Sequence, residues 1–437
     1  MRVILVALFL GCGTTPHDPS LAALREATEP TPAVQLDGTL ARYVEHGVAR
    51  HPALRAQLER WRAANRRVGA SRRWPRPTIA YMGFVRPVET RVGPQRQRVS
   101  VRVPLAWPAQ LRAAPEAAGQ LSTAQAHRFA AGVLAVQASI AEVYWERWLI
   151  ERRADVLREQ AVVLDGLAEV VRARVAVGGS TLAELQSIEL RRARLAEGVD
   201  ALAESARRSD AVLRATLGLD PDADVPLHAA SPELLDVGEP IEALRAAART
   251  RPELSEHEAM ARAAEAQARA ARAARLPNVM LGLDWIETGE ARMPNVMGSG
   301  DDALMLGVTV GVPIDAARDR SLAEAAEAEA RAHELDAEAR ALEIDRDVAL
   351  ALSEVRDALR RSRLYESTLA PQALAAYEGL LGEYAAGRAN VAMLVQAQRE
   401  LLEIALAREE SAADYARAWA RLERAVGRPV RAEGGAR

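Results

Sequence analysis

This 437-residue sequence predicts a mainly α-helical fold, duplicated within one chain, with a pair of short β-strands in each copy. Three observations lead there. Landmark motifs recur in constant register. Apolar residues return every seven positions along stretches rich in Ala, Leu, Arg and Glu. Between those stretches, apolar residues alternate one by one with small or polar ones.

His51-Pro52-Ala53-Leu54 matches Arg251-Pro252-Glu253-Leu254, and Arg76-Pro77-Thr78-Ile79 matches Leu276-Pro277-Asn278-Val279, both 200 residues apart. Val103-Pro104-Leu105 matches Val312-Pro313-Ile314 at 209, as do Val177-Gly178 with Ala386-Gly387 and Leu217-Gly218 with Val426-Gly427. The second copy thus carries nine extra residues, all between positions 277 and 312. A register held over more than a hundred residues marks a repeat where any one match would not. The boundaries that follow are a first copy over 37–218, a Pro- and Asp-bearing linker over 219–239, a second copy over 240–427 and a tail over 428–437.

Each copy opens with a helix, over about 39–73 and about 240–275, ended by Trp74-Pro75-Arg76-Pro77 and by Pro277. The strands come next. Val99, Val101 and Val103 alternate with Ser100 and Arg102; Val279, Leu281, Leu283 and Trp285 with Met280, Gly282 and Asp284; Leu304, Leu306, Val308, Val310 and Val312 with Met305, Gly307, Thr309 and Gly311. Period-two alternation gives one apolar face and one small or polar face. A lipid-facing barrel wall around a wet lumen has that pattern, and so does a soluble hairpin packed on helices. Arg102 and Asp284, on the small-residue face, favour the wet lumen. The Gly-, Pro- and charge-rich stretches 86–98 and 286–303 read as loops, where extra residues are tolerated.

Two long helices close each copy. The stretch 109–176 would extend roughly 100 Å at about 1.5 Å per residue. Val156, Val163 and Val170; Leu157, Leu164 and Val171; and, beyond Gly178-Gly179, Ile188, Leu195 and Leu202 each keep seven-residue spacing. In the second copy Leu374 and Leu381, Tyr377 and Tyr384, and Leu394 and Leu401 do the same, as left-handed coiled-coil packing requires.

Composition narrows the function. A net charge of −3 carries no basic bias toward nucleic acid, and every basic residue counted is Arg. At the N-terminus, Arg2, the apolar run Val3 to Leu10, and then Gly11-Cys12 read as a signal peptide over 1–11 ending in a lipidation motif. Cys12, the one cysteine, is expected to be acylated, with residues 12–36 as a lipidated tether. No later segment has the roughly 18 consecutive apolar residues of a membrane helix, so any crossing must be a β-barrel, the other structure that satisfies its backbone in lipid. His257-Glu258 is not followed by a second His four residues on, and neither a nucleophile elbow nor a phosphate-binding Gly loop is present. These readings exclude the common enzyme motifs and call for no cofactor. Met280, Met293, Met297 and Met305 near the second strand pair are soft enough to hold Cu(I) or Ag(I); the plainer reading is strand and loop filler, and no metal site is expected.

Two stretches carry a more specific resemblance. One reads Arg174-Val175-Ala176-Val177-Gly178-Gly179-Ser180-Thr181-Leu182-Ala183-Glu184-Leu185-Gln186, the other Tyr384-Ala385-Ala386-Gly387-Arg388-Ala389-Asn390-Val391-Ala392-Met393-Leu394. Each joins a Val-Gly or Tyr-x-x-Gly turn to a short polar stretch and a new helix start. With the duplication and the paired strands, they resemble the TolC-like outer-membrane efflux channels over about 36–428. The resemblance implies a homotrimer in the outer membrane of a Gram-negative bacterium. Each protomer would give four strands to a twelve-stranded β-barrel, and the helices would form an α-helical tunnel through the periplasm. Val177, Gly178, Gly179, Ala386, Gly387 and Arg388 would dock on a periplasmic adaptor linked to an inner-membrane pump. Glu184 and Tyr384 match positions that line or latch the closed tunnel mouth, while Met393 and Gln396 stand where acidic residues often sit, leaving Glu184 as the remnant of an acidic ring. The pump would choose the substrate. The competing reading is a periplasmic coiled-coil adaptor or a structural protein without a channel.

Overall fold

The computed structural model describes residues 35–227, 230–312 and 315–433. Cys12, the signal segment 1–11, most of the 12–36 tether and Pro313-Ile314 lie outside them. Each copy opens with two helices where the sequence predicts one: α1 (Leu40–Arg50) and α2 (Pro52–Ser71), then α5 (Ile241–Ala248) and α6 (Pro252–Ala273). Proline is the cause. It has no N–H to donate, and it pushes the preceding residue out of the helical region; His51 stands at φ −57°, ψ 122°. The strands are β1 (Thr78–Thr90), β2 (Gly93–Leu105), β3 (Asn278–Thr288) and β4 (Ala303–Gly311). The long helices are α3 (Pro108–Ala176), α4 (Leu182–Leu217), α7 (Ala316–Leu364), α8 (Ala370–Ala385) and α9 (Val391–Val426). A π-turn, Tyr365–Leu369, joins α7 to α8, and the Ala370 N–H reaches the Tyr365 carbonyl. It ends two residues before Pro371, whose missing N–H breaks the α ladder there.

The first predicted loop is mostly strand. β1 and β2 run on past the apolar stretch and turn at Arg91-Val92 alone. β1 is an edge strand, and edges tolerate a proline such as Pro87. A register shift between Gly83 and Val88 absorbs that irregular stretch. Gly93 closes the turn at φ +134°, with the Gly289 backbone where a side chain would sit. Residues 289–302 form the longer β3–β4 loop.

The chain divides into two compact units, each drawing on both copies. One comprises Leu58–Ala126 with Glu256–Asp336 and holds the antiparallel sheet, in the order β1-β2-β3-β4. Among the described residues the other comprises 35–57, 127–255 and 337–433. Its core near the hairpin turns buries Leu164, Val171, Ile188, Leu195, Tyr377, Tyr384, Leu394 and Leu401, so most of the seven-residue series point inward. Val170 and Leu374 are exposed instead. An α-helix has 3.6 residues per turn, and a strict seven-residue series drifts about 20° per heptad off the seam.

In this second unit α3 and α9 run antiparallel and are tied by polar pairs. Glu142 meets Arg421, Glu146 meets Arg417, Arg152 meets Glu409, Arg153 meets Glu410, and Gln398 donates to Gln160 at 3.2 Å. The acids lie on α3 in the first two pairs and on α9 in the next two. A slip of about two turns would set Glu146 against Glu410 or Arg153 against Arg417, which specifies register more than it adds stability. Here too the chain after α9 is pinned to the inter-copy linker. Gly238 donates to the Arg431 carbonyl, Glu433 to that of Asp236, and Arg428 grips Glu239 with both terminal nitrogens, at 2.6 and 3.0 Å.

The Arg428 hydrogen bonds, helped by the Arg431 N–H, hold the Glu239 carboxyl at about 2, well below its ordinary 4.5. A depressed carboxylate stabilises the folded form above its unfolded pKa and loses that contribution as pH falls through the folded one. Protection of the 428–433 backbone against hydrogen exchange should therefore be constant above pH about 4.5 and fall progressively toward about 2. In Glu239→Gln that pH dependence should be absent; an unchanged slope would assign the acid lability elsewhere.

Candidate functional site

Two surfaces carry the sequence-predicted site residues. The first is the sheet. Register pairs Val99 with Trp285, Val101 with Leu283 and Val103 with Leu281, then Leu281 with Val308 and Leu283 with Leu306; Ile79 opposes Val101 on the other side. All of these lie on one face, and nothing in the unit covers it: Ile79 is 74% exposed, Leu306 82%. Soluble monomers rarely expose a continuous apolar patch beyond a few hundred Å². Of the two arrangements that alternation allows, a hairpin face packed on helices is therefore not the one adopted. Tyr81, bonded to Gln97 at 3.0 Å, and Trp285, bonded to Asp302 at 3.1 Å, combine exposed rings with polar tips at the loop end of this band, as residues at a membrane interface do.

The opposite face is polar and buried at its centre. Ser100 and Asp284 are paired across β2 and β3, and both are buried. Arg98 reaches the Asp284 carboxylate at 2.9 and 3.0 Å, and the Ser100 hydroxyl donates to it as well. Arg102 lies in the same face, opposite Gly282. The four methionines do not converge. Met293 and Met297 are exposed in the loop, while Met280 and Met305 are four positions apart in register on the sheet.

The second surface is the pair of hairpin turns, α3–α4 and α8–α9. They are built alike. The Gly179 N–H bonds the Arg174 carbonyl at 2.8 Å and the Arg388 N–H bonds the Glu383 carbonyl at 2.8 Å, the six-to-one closure of a left-handed helix cap. The residues that take the left-handed conformation are Gly178, at φ +76°, and Gly387, at φ +78°. Each return helix then starts on a side-chain cap. Thr181 and Glu184 close a reciprocal box, at 3.2 and 2.8 Å, and Asn390 accepts from the Met393 N–H at 3.0 Å. Val177, Gly178, Gly179, Ala386, Gly387 and Arg388 are all exposed, and Arg388 is held by Glu383 at 2.7 and 2.9 Å.

Tyr384 is buried and bonds Ser180 across the two turns, hydroxyl to hydroxyl at 2.8 Å. Arg174 completes the junction. Its guanidinium lies 4.6 Å from the centre of the Tyr384 ring and donates to the Tyr384 carbonyl at 2.5 Å. Glu184 is occupied by its capping box, and Gln396 is exposed in the second turn of α9. Sequence reasoning missed Arg174 and Ser180 as members of the cluster. The one available signal was that both fall inside the matched turn segment, with Arg174 four residues before Gly178.

With this geometry in view, the comparisons with known proteins are consistent. Residues 243–428 match the family model described as outer membrane efflux protein. A membrane protein from Pseudomonas aeruginosa has the same fold, at 21% identity and a TM-score of 0.76, over 90% of this chain and 91% of that one. So do the outer membrane protein VceC of Vibrio cholerae (19%, TM-score 0.73, over 89% and 96%) and the open-state MtrE outer membrane channel of Neisseria gonorrhoeae (16%, TM-score 0.70, over 90% of both). No curated protein matches the sequence. At these identities the structural likeness is one of fold. The resemblance to TolC-like outer-membrane efflux channels thus holds in sequence over the second copy and in fold over nine-tenths of the chain. The description of the matched family model names the outer membrane.

Proposed function

We propose that this TolC-like chain is the outer-membrane channel of a tripartite efflux system, a passive conduit and not an enzyme. It exports small molecules or metal ions to the exterior from the periplasm or from an inner-membrane pump, to which a periplasmic adaptor links it. The observation that carries this reading is the sheet: four strands with an uncovered apolar face and two open edges, β1 and β4. Lipid would cover the face, but it cannot pair the edges, because every backbone group in the membrane needs an internal partner. Three copies, β4 of one meeting β1 of the next, close a twelve-stranded barrel with Arg102 and Asp284 on its lumen side and the helices as the tunnel. The test is the outer-membrane fraction. Trimers that resist detergent and dissociate to monomers on heating are expected. A protein found only in the soluble periplasmic fraction, as a monomer, supports the adaptor or structural reading instead.

Cys12 then serves as an anchor. An acyl chain adds about 0.8 kcal/mol per buried CH₂, which aids delivery to the membrane while the barrel provides the permanent hold. Intact mass of the mature protein should show a diacylglycerol and a third acyl chain on Cys12 as the first residue. An unmodified Cys12, or a mature N-terminus beyond it, removes the anchor from the account.

A further inference from the structure

We propose that Arg102 sets the charge selectivity of the barrel, making its lumen favour anionic over cationic solutes. The proposal rests on the channel reading and names the class of solute that the lumen admits best. It starts from an imbalance on the polar face of the sheet. Where the register is regular, over Thr78–Gly83, Gln97–Leu105 and Asn278–Glu287, that face carries three charges: Arg98, Arg102 and Asp284. Asp284 is committed to Arg98, which approaches the same carboxylate oxygen at 2.9 and 3.0 Å, and to the Ser100 hydroxyl. Those two charges offset each other. Arg102 feels Asp284 only through space; among the described residues no hydrogen bond or ion pair engages its guanidinium.

Its surroundings keep that charge open to whatever fills the lumen. The row of the sheet that holds Arg102 continues through Gly282 and Gly307, with Thr78 on its other side. A side chain added at Gly282 would meet the Arg102 Cγ and Nε, at 3.7 and 3.9 Å, so the guanidinium stem lies across the glycine. One added at Gly307 would meet nothing within 4 Å. The row therefore supplies neither an acid to neutralise Arg102 nor bulk to cover it. In the proposed trimer three such cations would share one level of a water-filled passage with low-dielectric walls, and rings of Arg or Lys are how protein pores favour anions. Substitutions on the lumen side of a barrel tune selectivity without exposing charge to lipid.

The experiment is reversal potential across a planar bilayer in a KCl gradient, with the full-length trimer. It is run in Glu184→Gln channels, so that carboxylates at the turns do not contribute. At about 10 mM salt, where the screening length is about 30 Å, the Cl⁻/K⁺ permeability ratio should fall about two-fold or more in Arg102→Ala. It should invert toward K⁺ in Arg102→Glu and be kept in Arg102→Lys. The difference should shrink toward 1 M salt, where the screening length is about 3 Å. Separate batches of an Arg102→Cys channel, one treated with a cationic and the other with an anionic thiol reagent, give the same comparison if the other variants assemble poorly, the ratio being higher in the cationic adduct than in the anionic one. Equal permeability ratios across Arg102, Ala, Glu and both thiol adducts overturn the proposal while leaving the channel reading intact. Failure of the parent protein to form any conducting trimer overturns the channel reading itself.

Discussion

Replacing both Gly178 and Gly387 with valine should abolish crosslinking to the cognate adaptor and efflux, while heat-modifiable trimers persist. The expectation comes from the backbone. Both glycines hold the left-handed conformation, at φ +76° and +78°. There an L-residue is penalised by about 1–2 kcal/mol and a β-branched one is a genuine outlier. At about 1.4 kcal/mol per tenfold, each substitution should shift its turn away from the native geometry by about ten-fold, and the two together by about a hundred-fold. Space is not the reason: a Cβ at Gly178 meets nothing within 4 Å, and one at Gly387 only the Arg174 guanidinium at 3.6 Å. Asparagine tolerates this conformation, so Gly178→Asn, Gly387→Asn should keep docking close to normal. Equal loss with asparagine would mean that the turn needs the absence of a side chain, as a flat docking surface would. Undiminished crosslinking in the valine pair would show that the adaptor binds elsewhere.

Much of this was legible in the sequence for physical reasons that apply residue by residue. A repeat needs no three-dimensional context to be seen, so Gly178 and Gly387, built alike in the structure, could be matched from spacing alone. Alternation is equally local, and the faces it assigned to Val101, Leu283, Arg102 and Asp284 are those of the sheet. What alternation leaves open is what covers the apolar face, because that depends on packing between distant segments. Composition misled at 86–98: Arg, Pro and Gly read as loop, but an edge strand can carry Pro87 and a hairpin can run past its apolar band. His51-Pro52 and Arg251-Pro252 served as landmarks of the repeat without being taken as breaks, although proline dictates them. The junction of Arg174, Ser180 and Tyr384 was the least accessible. It joins residues about 200 apart in sequence, through a ring, a carbonyl and two hydroxyls that have no periodicity to betray them.

That junction changes how the proposed tunnel mouth should respond to mutation. Tyr384→Phe deletes only the hydroxyl that bonds Ser180, while the ring under Arg174 and the carbonyl it reaches remain. A net hydrogen bond contributes about 0.5–1.5 kcal/mol, so the closed arrangement of the two turns should lose about two- to ten-fold in population. Single-channel recordings should then show longer or larger openings, and Ser180→Ala should reproduce them. Arg174→Ala removes both the ring contact and the carbonyl bond, and it should open the mouth further than either. Charge at the mouth needs a different substitution. Glu184 closes the capping box of α4 with Thr181, so Glu184→Ala would remove a cap as well as a charge, at about 0.5–2 kcal/mol. Glutamine can occupy the same box, which makes Glu184→Gln the variant that isolates the carboxylate. If three such carboxylates ring the tunnel's narrow end, Glu184→Gln should lower cation preference and relieve block by trivalent cations while leaving open times alone. Tyr384→Phe should do the reverse, changing open times and not selectivity. Should Glu184→Gln keep the parent's block and selectivity, the carboxylate is a helix cap and nothing more; should Tyr384→Phe, Ser180→Ala and Arg174→Ala all gate like the parent, the junction holds the two turns together without holding the mouth shut.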